Sequence, residues 1–411
     1  MPFESFVGVL SHEQTGDRDV IQDALVAVRR HLGMEIAYFS EFVGEESVFR
    51  RVDAPGLEHL ITVGDSRSLD DVYCRHILEG RLPELIPDTS REPLAKAMPI
   101  TEAVPIGSHA SIPIMLPDGK PFGMFCCLSS QANPTLNTRD LETMRVFAGL
   151  ATRQVHRDIE HGRSEREMRA AIEAVIRTTD FEIVFQPIFD LLTSEIASIE
   201  ALCRFKPEPY RSPDKWFTDA TEVGLAVDLE LAAIRAATAA FDELPPKMKM
   251  AVNASPETVV SGRLAEALDS KYLERTTIEL TEHARVDDYA ALHRELDPFR
   301  NQGLEVAVDD AGAGYSGLQH IVQMAPDSIK MDMSLTRGID RDSARRALAS
   351  AMIFYARETG AVVVAEGIET REELATLQAL GVTRGQGYLL GTPGKLSELL
   401  SFNSAVAESM P

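Results

Sequence analysis

Residues 306–318 read VAVDDAGAGYSGL, and two incompatible folds can be built on them. Gly312, Gly314 and Gly317 have the GxGxxG spacing of a turn that cradles a pyrophosphate in a doubly wound sheet, and Asp332 follows at about the distance of a ribose-binding acid. Asp309 and Asp310 stand immediately before the glycines, however, where like charge would repel a pyrophosphate. The other reading makes the aspartates metal ligands at the end of a strand. Neighbours within a strand face opposite sides, so the glycines would be the turn that lets both carboxylates reach one place.

The flanking pattern favours the second reading. From residue 181 the chain alternates short apolar runs with segments of helical period: EIVFQPIF, ASIEALCRF, KMAVNAS, TIELTE, LEVAVDD, SIKMDM, AVVVAEG and GQGYLL. Eight such strands, mostly followed by helices, predict a closed (β/α)8 barrel of the TIM type, with a doubly wound sheet as the alternative. The apolar runs end in Glu200, Asn253, Glu279, Asp309 with Asp310, Lys330 and Glu366. Carboxyl ends of barrel strands share one rim, so these chain-distant groups are expected to converge there. One acid after a strand is ordinarily a helix start, where it favours the dipole. Five carboxylates and an amide on successive strands are different, because clustered anions repel unless cations sit among them. Oxygen donors without His or Cys suit Mg2+ or Mn2+, and an aspartate pair can bridge two ions for phosphoryl hydrolysis.

Lys330 is the cation among these groups. Beside two divalent ions its pKa is expected to fall, which would let it take a proton from an attacking water or orient it; the plainer role is neutralising carboxylates. Arg204 lies four residues after Glu200, on the same strand face, as a phosphate clamp would. Glu282, three residues from Glu279, points away from the site and is expected to brace a loop. Glu369 precedes the capping box of Thr370 and Glu373 and is read as supporting or structural, and Ser255–Pro256 reads as a helix start.

The chain has 411 residues, with 41 Lys plus Arg against 64 Asp plus Glu, and the net charge of -23 argues against a DNA or RNA duplex as partner. No apolar run approaches membrane-spanning length, and no basic stretch leads an apolar one at the N-terminus, so membrane insertion is not expected and the cytoplasm is. Cys74, Cys126, Cys127 and Cys203 show no CxxC spacing and are read as reduced. Residues 1–155 mix patterns: DVIQDALVAVRRHLG is an amphipathic helix ending at Gly33, and EIAYFSEF and PFGMFCCLS are strands. Leu141, Met144, Ala148, Ala151, Val155 and Ile159 form a helical stripe that resumes at Met168, Ile172 and Val175. Residues 156–178 are therefore a helical connector or an ordinary terminal helix, with Gly162 weakening an unbroken run. Residues 179–411 form the barrel.

The motifs EALCRF, FQPIF, NAS, ELTE, VDDAGAGYSGL, IKMD, AEGIE and GQGYLLGTP resemble, in order, those of the EAL family. That resemblance implies a barrel phosphodiesterase hydrolysing cyclic di-GMP to linear pGpG with two Mg2+ or Mn2+ ions. It implies metal ligation by Glu200, Asn253, Glu279, Asp309 and Asp310, and water held or activated by Lys330 and Glu366. Contacts to the dinucleotide fall to Gln186, Leu202, Arg204 and Gln386, and a homodimer is implied. The chain departs from the family at Cys203, at Ala311 and Ala313 where Phe and Thr are common, and at Met333 where Arg is usual. The N-terminal region resembles a GAF sensor through LGMEIAYFSEF, YCRHILEGRLPELIPDT and SIPIMLPDGKPFGMFCCLS, which implies an unidentified small ligand there; Cys74 and His76 are read as a structural pair. A catalytically silent cyclic di-GMP receptor is the alternative, and a nicotinamide oxidoreductase leaves the rim carboxylates unexplained.

Overall fold

The computed structural model describes residues 19–281, 288–312 and 317–401. Two compact units divide at Ser164 and Glu165. The first contains α1 (Val20–Leu32), β1 (Ile36–Val43), β2 (Glu46–Asp53), β3 (Ser66–Ser68), α2 (Tyr73–Leu78), β4 (Leu85–Ile86), α3 (Pro93–Ala97), α4 (Ile100–Ala103), β5 (Ser108–Met115) and β6 (Pro121–Ser129). Its six strands pair antiparallel in the order β3-β2-β1-β6-β5-β4. Alternation along the strands separates two cores. Ala37, Phe39, Phe125 and Cys127 pack with α1, whereas Ile36, Tyr38, Met124 and Cys126 pack with Tyr73, Cys74 and Ile77 of α2. Cys126 and Cys127 thus face opposite sides as expected, and all four cysteines are free. Helix α1 stops where the sequence says, because Gly33 takes the left-handed conformation (φ 61°) and closes the cap.

Helix α5 (Thr138–Thr178) runs 41 residues, beginning in the first unit and ending in the second. It passes through Gly162 without a break, contrary to the weakening expected there; one glycine costs about 1 kcal/mol, which a helix of this length absorbs. Met144, Ala148, Ala151 and Val155 pack into the first unit, and Ile172 and Val175 join Phe181, Phe205 and Trp216 in the second.

The second unit is a closed barrel in the order β10-β11-β12-β13-β14-β7-β8-β9. Its elements are β7 (Phe181–Asp190), β8 (Ile196–Phe205), α6 (Pro213–Glu222), α7 (Ala226–Thr238), β9 (Lys249–Ala254), α8 (Pro256–Val260), β10 (Thr276–Thr281), α9 (Tyr289–Arg300), β11 (Glu305–Ala311), α10 (Gly317–Met324), β12 (Ser328–Met331), α11 (Met333–Thr336), α12 (Ser343–Thr359), β13 (Val362–Ala365), α13 (Arg371–Leu380) and β14 (Arg384–Gly385). Two features depart from eight regular strand–helix repeats. Strand β7 runs antiparallel to both of its neighbours, since it reaches β8 through a hairpin rather than a helix. GQGYLL, residues 385–390, supplies only its first residue to a strand, Gly385, the second of the two residues of β14. Beyond Gly385 the chain turns onto the segment after β13: Ile368 N donates to Gln386 O (3.0 Å), and a Cβ at Gly387 would lie 2.2 Å from Ile368 N. Among the described residues, no helix is long and apolar enough to cross a membrane.

Candidate active site

Strand register alone sends the polar groups to one surface. Paired residues on adjacent strands share a face, and so do residues two apart on one strand. Gln186 pairs with Glu200, Glu200 with Ala251, Asn253 with Glu279, and Glu279 with Ala307, two residues before Asp309. Ala307 pairs with Ser328, two before Lys330, and Lys330 pairs with Val364, two before Glu366. Seven groups therefore line the barrel interior from six strands and the residue following β13. Glu200 is not at a strand end, as the sequence pattern suggested: β8 continues to Phe205 because its hairpin partner β7 goes on pairing after β9 has stopped.

Asp309 and Asp310 converge by a device the glycines did not reveal. Between Val308 and Ala311 strand β11 spends one residue more than β12, a β-bulge, and Asp310 sits in it with φ 56°. A left-handed aspartate is tolerated because its short polar side chain bonds locally, but it costs energy that a site must repay. Gly312 is needed next to it, with φ 103° and space for its would-be Cβ already taken by Leu335 Cδ1 at 2.3 Å. Ala311 is fully buried in the barrel core. Gly314 and Ala313 lie outside the described residues, as does Glu282.

The centre of the site is Lys330, 1 % exposed. Its Nζ stands 2.7 Å from Glu279 Oε2, 2.8 Å from Glu366 Oε1, 3.0 Å from Asp309 Oδ1 and 3.4 Å from Glu200 Oε2. Gln386 Nε2 donates to Glu200 Oε2 (2.7 Å) and Gln186 Oε1 (3.0 Å), Gln186 Nε2 donates to Gly391 O (3.0 Å), and Asn253 Nδ2 donates to Glu200 Oε1 (3.3 Å). The two glutamines thus hold Glu200 in place. Burial opposes ionisation of Glu200, but Lys330, Gln386 and Asn253 outweigh it and keep its pKa below the ordinary value. Burial, reinforced by Glu200 and Asp309 against the pull of Lys330, raises Glu279 well above its usual range. Glu366 is pushed up to about 8 by burial and then by Asp309 and Glu200, with Lys330 opposing. For Lys330, burial disfavours the ammonium, yet Asp309, Glu200, Glu279 and Glu366 together raise its pKa well above the ordinary value. The expectation of a lowered lysine pKa presupposed bound divalent ions; the side chains by themselves do the reverse.

One oxygen each from Asp309, Asp310 and Glu366 lies within 4.8 Å of the others, an arrangement able to chelate a divalent cation. Four carboxylates surround one ammonium here and Asp310 adds a fifth beside Asp309 and Glu366, all donors are oxygen apart from the Asn253 amide nitrogen, and the excess negative charge calls for a hard cation. The residues present therefore fit a Mg2+ or Mn2+ centre. Glu366, read from the sequence as a water-holding group, stands with the aspartate pair.

The remaining candidates lie apart from this cluster. Leu202 and Arg204 are half-buried on the same face of β8, and Arg204 Nη1 donates to Cys203 O (2.8 Å). Glu369 pairs with Arg337, away from Lys330. The Thr370–Glu373 capping box is present, and Glu373 also accepts from Gly338 N (2.9 Å) and Glu369 N (3.0 Å), tying the loop after α11 to the loop after β13. Met333 is 44 % exposed and opens α11. Ser255 caps α8 as expected. Sequence reading passed over Glu230 on α7, which holds Ser255; the available signal was an acid set between the buried Leu229 and Leu231.

Comparison with known proteins agrees with this geometry. The EAL domain profile matches residues 166–393, more than half of the chain, and the GAF domain profile matches residues 18–155. A Pseudomonas aeruginosa protein named as a cyclic di-GMP phosphodiesterase is 31 % identical over 233 residues, covering 54 % of this chain and 40 % of that protein. The crystal structure of an EAL domain protein from Listeria monocytogenes is 25 % identical with a TM-score of 0.51, covering 56 % of this chain and 96 % of that one. An EAL enzyme solved with cyclic AMP and cyclic di-GMP bound is 19 % identical with a TM-score of 0.53 over 90 % of this chain and 93 % of that one, a likeness of fold. The chain spans well under half the length of the curated relatives it matches.

Proposed function

Since the chain belongs to the EAL domain family and carries a GAF domain before its barrel, we propose that it hydrolyses cyclic di-GMP to linear pGpG. The observation that carries this reading is the meeting of Glu200, Glu279, Asp309 and Glu366 around Lys330, with Asp310 brought alongside by the bulge in β11. Glu200, Asn253, Glu279, Asp309 and Asp310 would hold two Mg2+ or Mn2+ ions, with Glu366 close enough to share in holding one. Bound there, the ions would supply Lewis-acid polarisation of a phosphodiester.

The chain's own groups do the rest. Lys330 donates from its ammonium to orient the attacking water, and Glu366 accepts the proton that water gives up. Water adds to phosphorus, the bond to the bridging 3′ oxygen breaks, and the proton taken up by Glu366 passes to that oxygen, which leaves as the 3′ hydroxyl. Arg204 clamps a phosphate through its guanidinium, Leu202 packs against the dinucleotide, and Gln186 and Gln386 border it while fixing Glu200. Glu369, and Glu282 outside the described residues, brace the loops. The N-terminal domain takes a small ligand and regulates the rate through α5, and the chain acts as a homodimer, which sedimentation would check.

The test is incubation of purified protein with cyclic di-GMP and Mg2+, beside Glu200→Ala. Product from the wild type alone is expected. Binding without product would make the protein a receptor, and absence of binding would sink both readings.

A further inference from the structure

We propose that Glu230 is a positioning residue for the metal centre, acting through Ser255 on the end of the strand that carries Asn253. The inference rests on the metal-dependent reading above. Strand β9 is held on both sides only as far as Val252, which pairs with Ala201 of β8; past that point its remaining registered neighbour is β10, with Ala254 opposite Leu280. Asn253 is therefore supported by the sheet on one side, and among the described residues its amide makes one long bond, to Glu200 (3.3 Å). Such a bond is weakly orienting, so the amide's direction must come from the backbone that bears it.

Glu230 supplies the missing support. Its Oε2 accepts from Ser255 N (2.7 Å) and from Ser255 Oγ (3.0 Å), and the same Oγ accepts from Thr258 N (3.2 Å) at the start of α8. A carboxylate acceptor makes these bonds stronger than a neutral group would. Two residues earlier on α7, Asp228 Oδ1 takes Arg263 Nη1 at 2.9 Å, so one helix turn pins both ends of residues 255–263. The Asp228 contact is remote from Asn253; the Glu230 contact is two residues from it. Groups that orient metal ligands typically matter 10- to 100-fold in affinity, which sets the expected size of the effect.

Mn2+ titration by calorimetry on the full chain, with kcat, KM and thermal unfolding measured alongside, tests the assignment. Glu230→Ala is expected to weaken Mn2+ binding about tenfold or more and to lower kcat while KM stays within about twofold. Glu230→Gln, which keeps the size and one acceptor, should weaken it about threefold and carries the test if the alanine variant does not fold. Asp228→Ala should lower the unfolding temperature without moving Mn2+ affinity, which separates positioning from general loss of stability. Wild-type Mn2+ affinity in a folded Glu230 variant would overturn this inference alone. A wild type that does not bind Mn2+ would overturn the metal-dependent reading and this one with it.

Discussion

Lys330 in the barrel and His109 in the N-terminal sheet are almost equally removed from water, at 1 % and 2 % exposure, yet burial leaves one charged and the other neutral. Four carboxylates surround Lys330 and overcome the desolvation that would strip its proton. His109 stands edge-on to Tyr73, with ring centroids 5.1 Å apart, and desolvation alone lowers its pKa to about 4. Burial thus sets the cost of charge, and the neighbours decide whether a group bears it. In the barrel the opposite charges are themselves in surplus, which is why the site can take a cation; the sheet's buried face has no such surplus at His109.

Because the carboxylates depend on their lysine, its removal has the largest expected effect. Lys330→Met should abolish pGpG formation and, in EDTA-treated protein, cost about 3–5 kcal/mol in urea unfolding of the barrel, the usual penalty for removing one side of a buried ion cluster. Added Mn2+ should return part of that stability, and an unaltered unfolding midpoint would show that the cluster is not held by Lys330. His109 gives the contrasting case. Between its unfolded value of 6.5 and its folded value of about 4, the unfolded chain binds a proton that the folded chain refuses. Its contribution is complete above pH 6.5 and lost as the pH falls toward 4, amounting to roughly 3 kcal/mol. His109→Phe should flatten that part of the stability profile; an unchanged slope would mean that His109 is solvated.

Wild-type protein supplies a comparably large effect through its cation. At a Mn2+ concentration a hundred times the dissociation constant, stability should rise by about 2.7 kcal/mol and return to baseline on chelation. No shift in the barrel's unfolding temperature would contradict the reading of the acidic cluster as a metal site. The smallest change expected is Thr370→Ala, which removes half of the capping box on α13 and should cost about 1 kcal/mol while leaving KM unaltered. A loss of metal affinity there would extend the site to a loop now assigned to bracing.

Much of this site was legible because strand periodicity is a local property. Apolar runs closed by Glu279, Asp309 and Lys330 mark strands and their inward faces without any tertiary information. Glu200 was found for the right residue type at the wrong place in its strand, since only the β7–β8 hairpin prolongs β8 beyond its partner β9. The reversed direction of β7 and the brevity of β14 were equally illegible, because both depend on what the chain meets in space. Glu230 escaped notice for the same reason: an acid between two buried leucines marks the position, but its partner Ser255 is 25 residues away and only the fold brings them together.

By itself the sequence determined two domains' worth of patterned elements, the oxygen-rich donor set and its order along the chain, because residue type and period are written locally. The tertiary structure decided how those donors meet. Register brought Glu200, Asn253, Glu279, Asp309, Lys330 and Glu366 to one inner surface, and a one-residue bulge with Asp310 in a left-handed conformation set the aspartates together. It also decided the ionisation of Lys330 and His109, since a pKa follows from desolvation and neighbouring charge, and both exist only once the chain has folded.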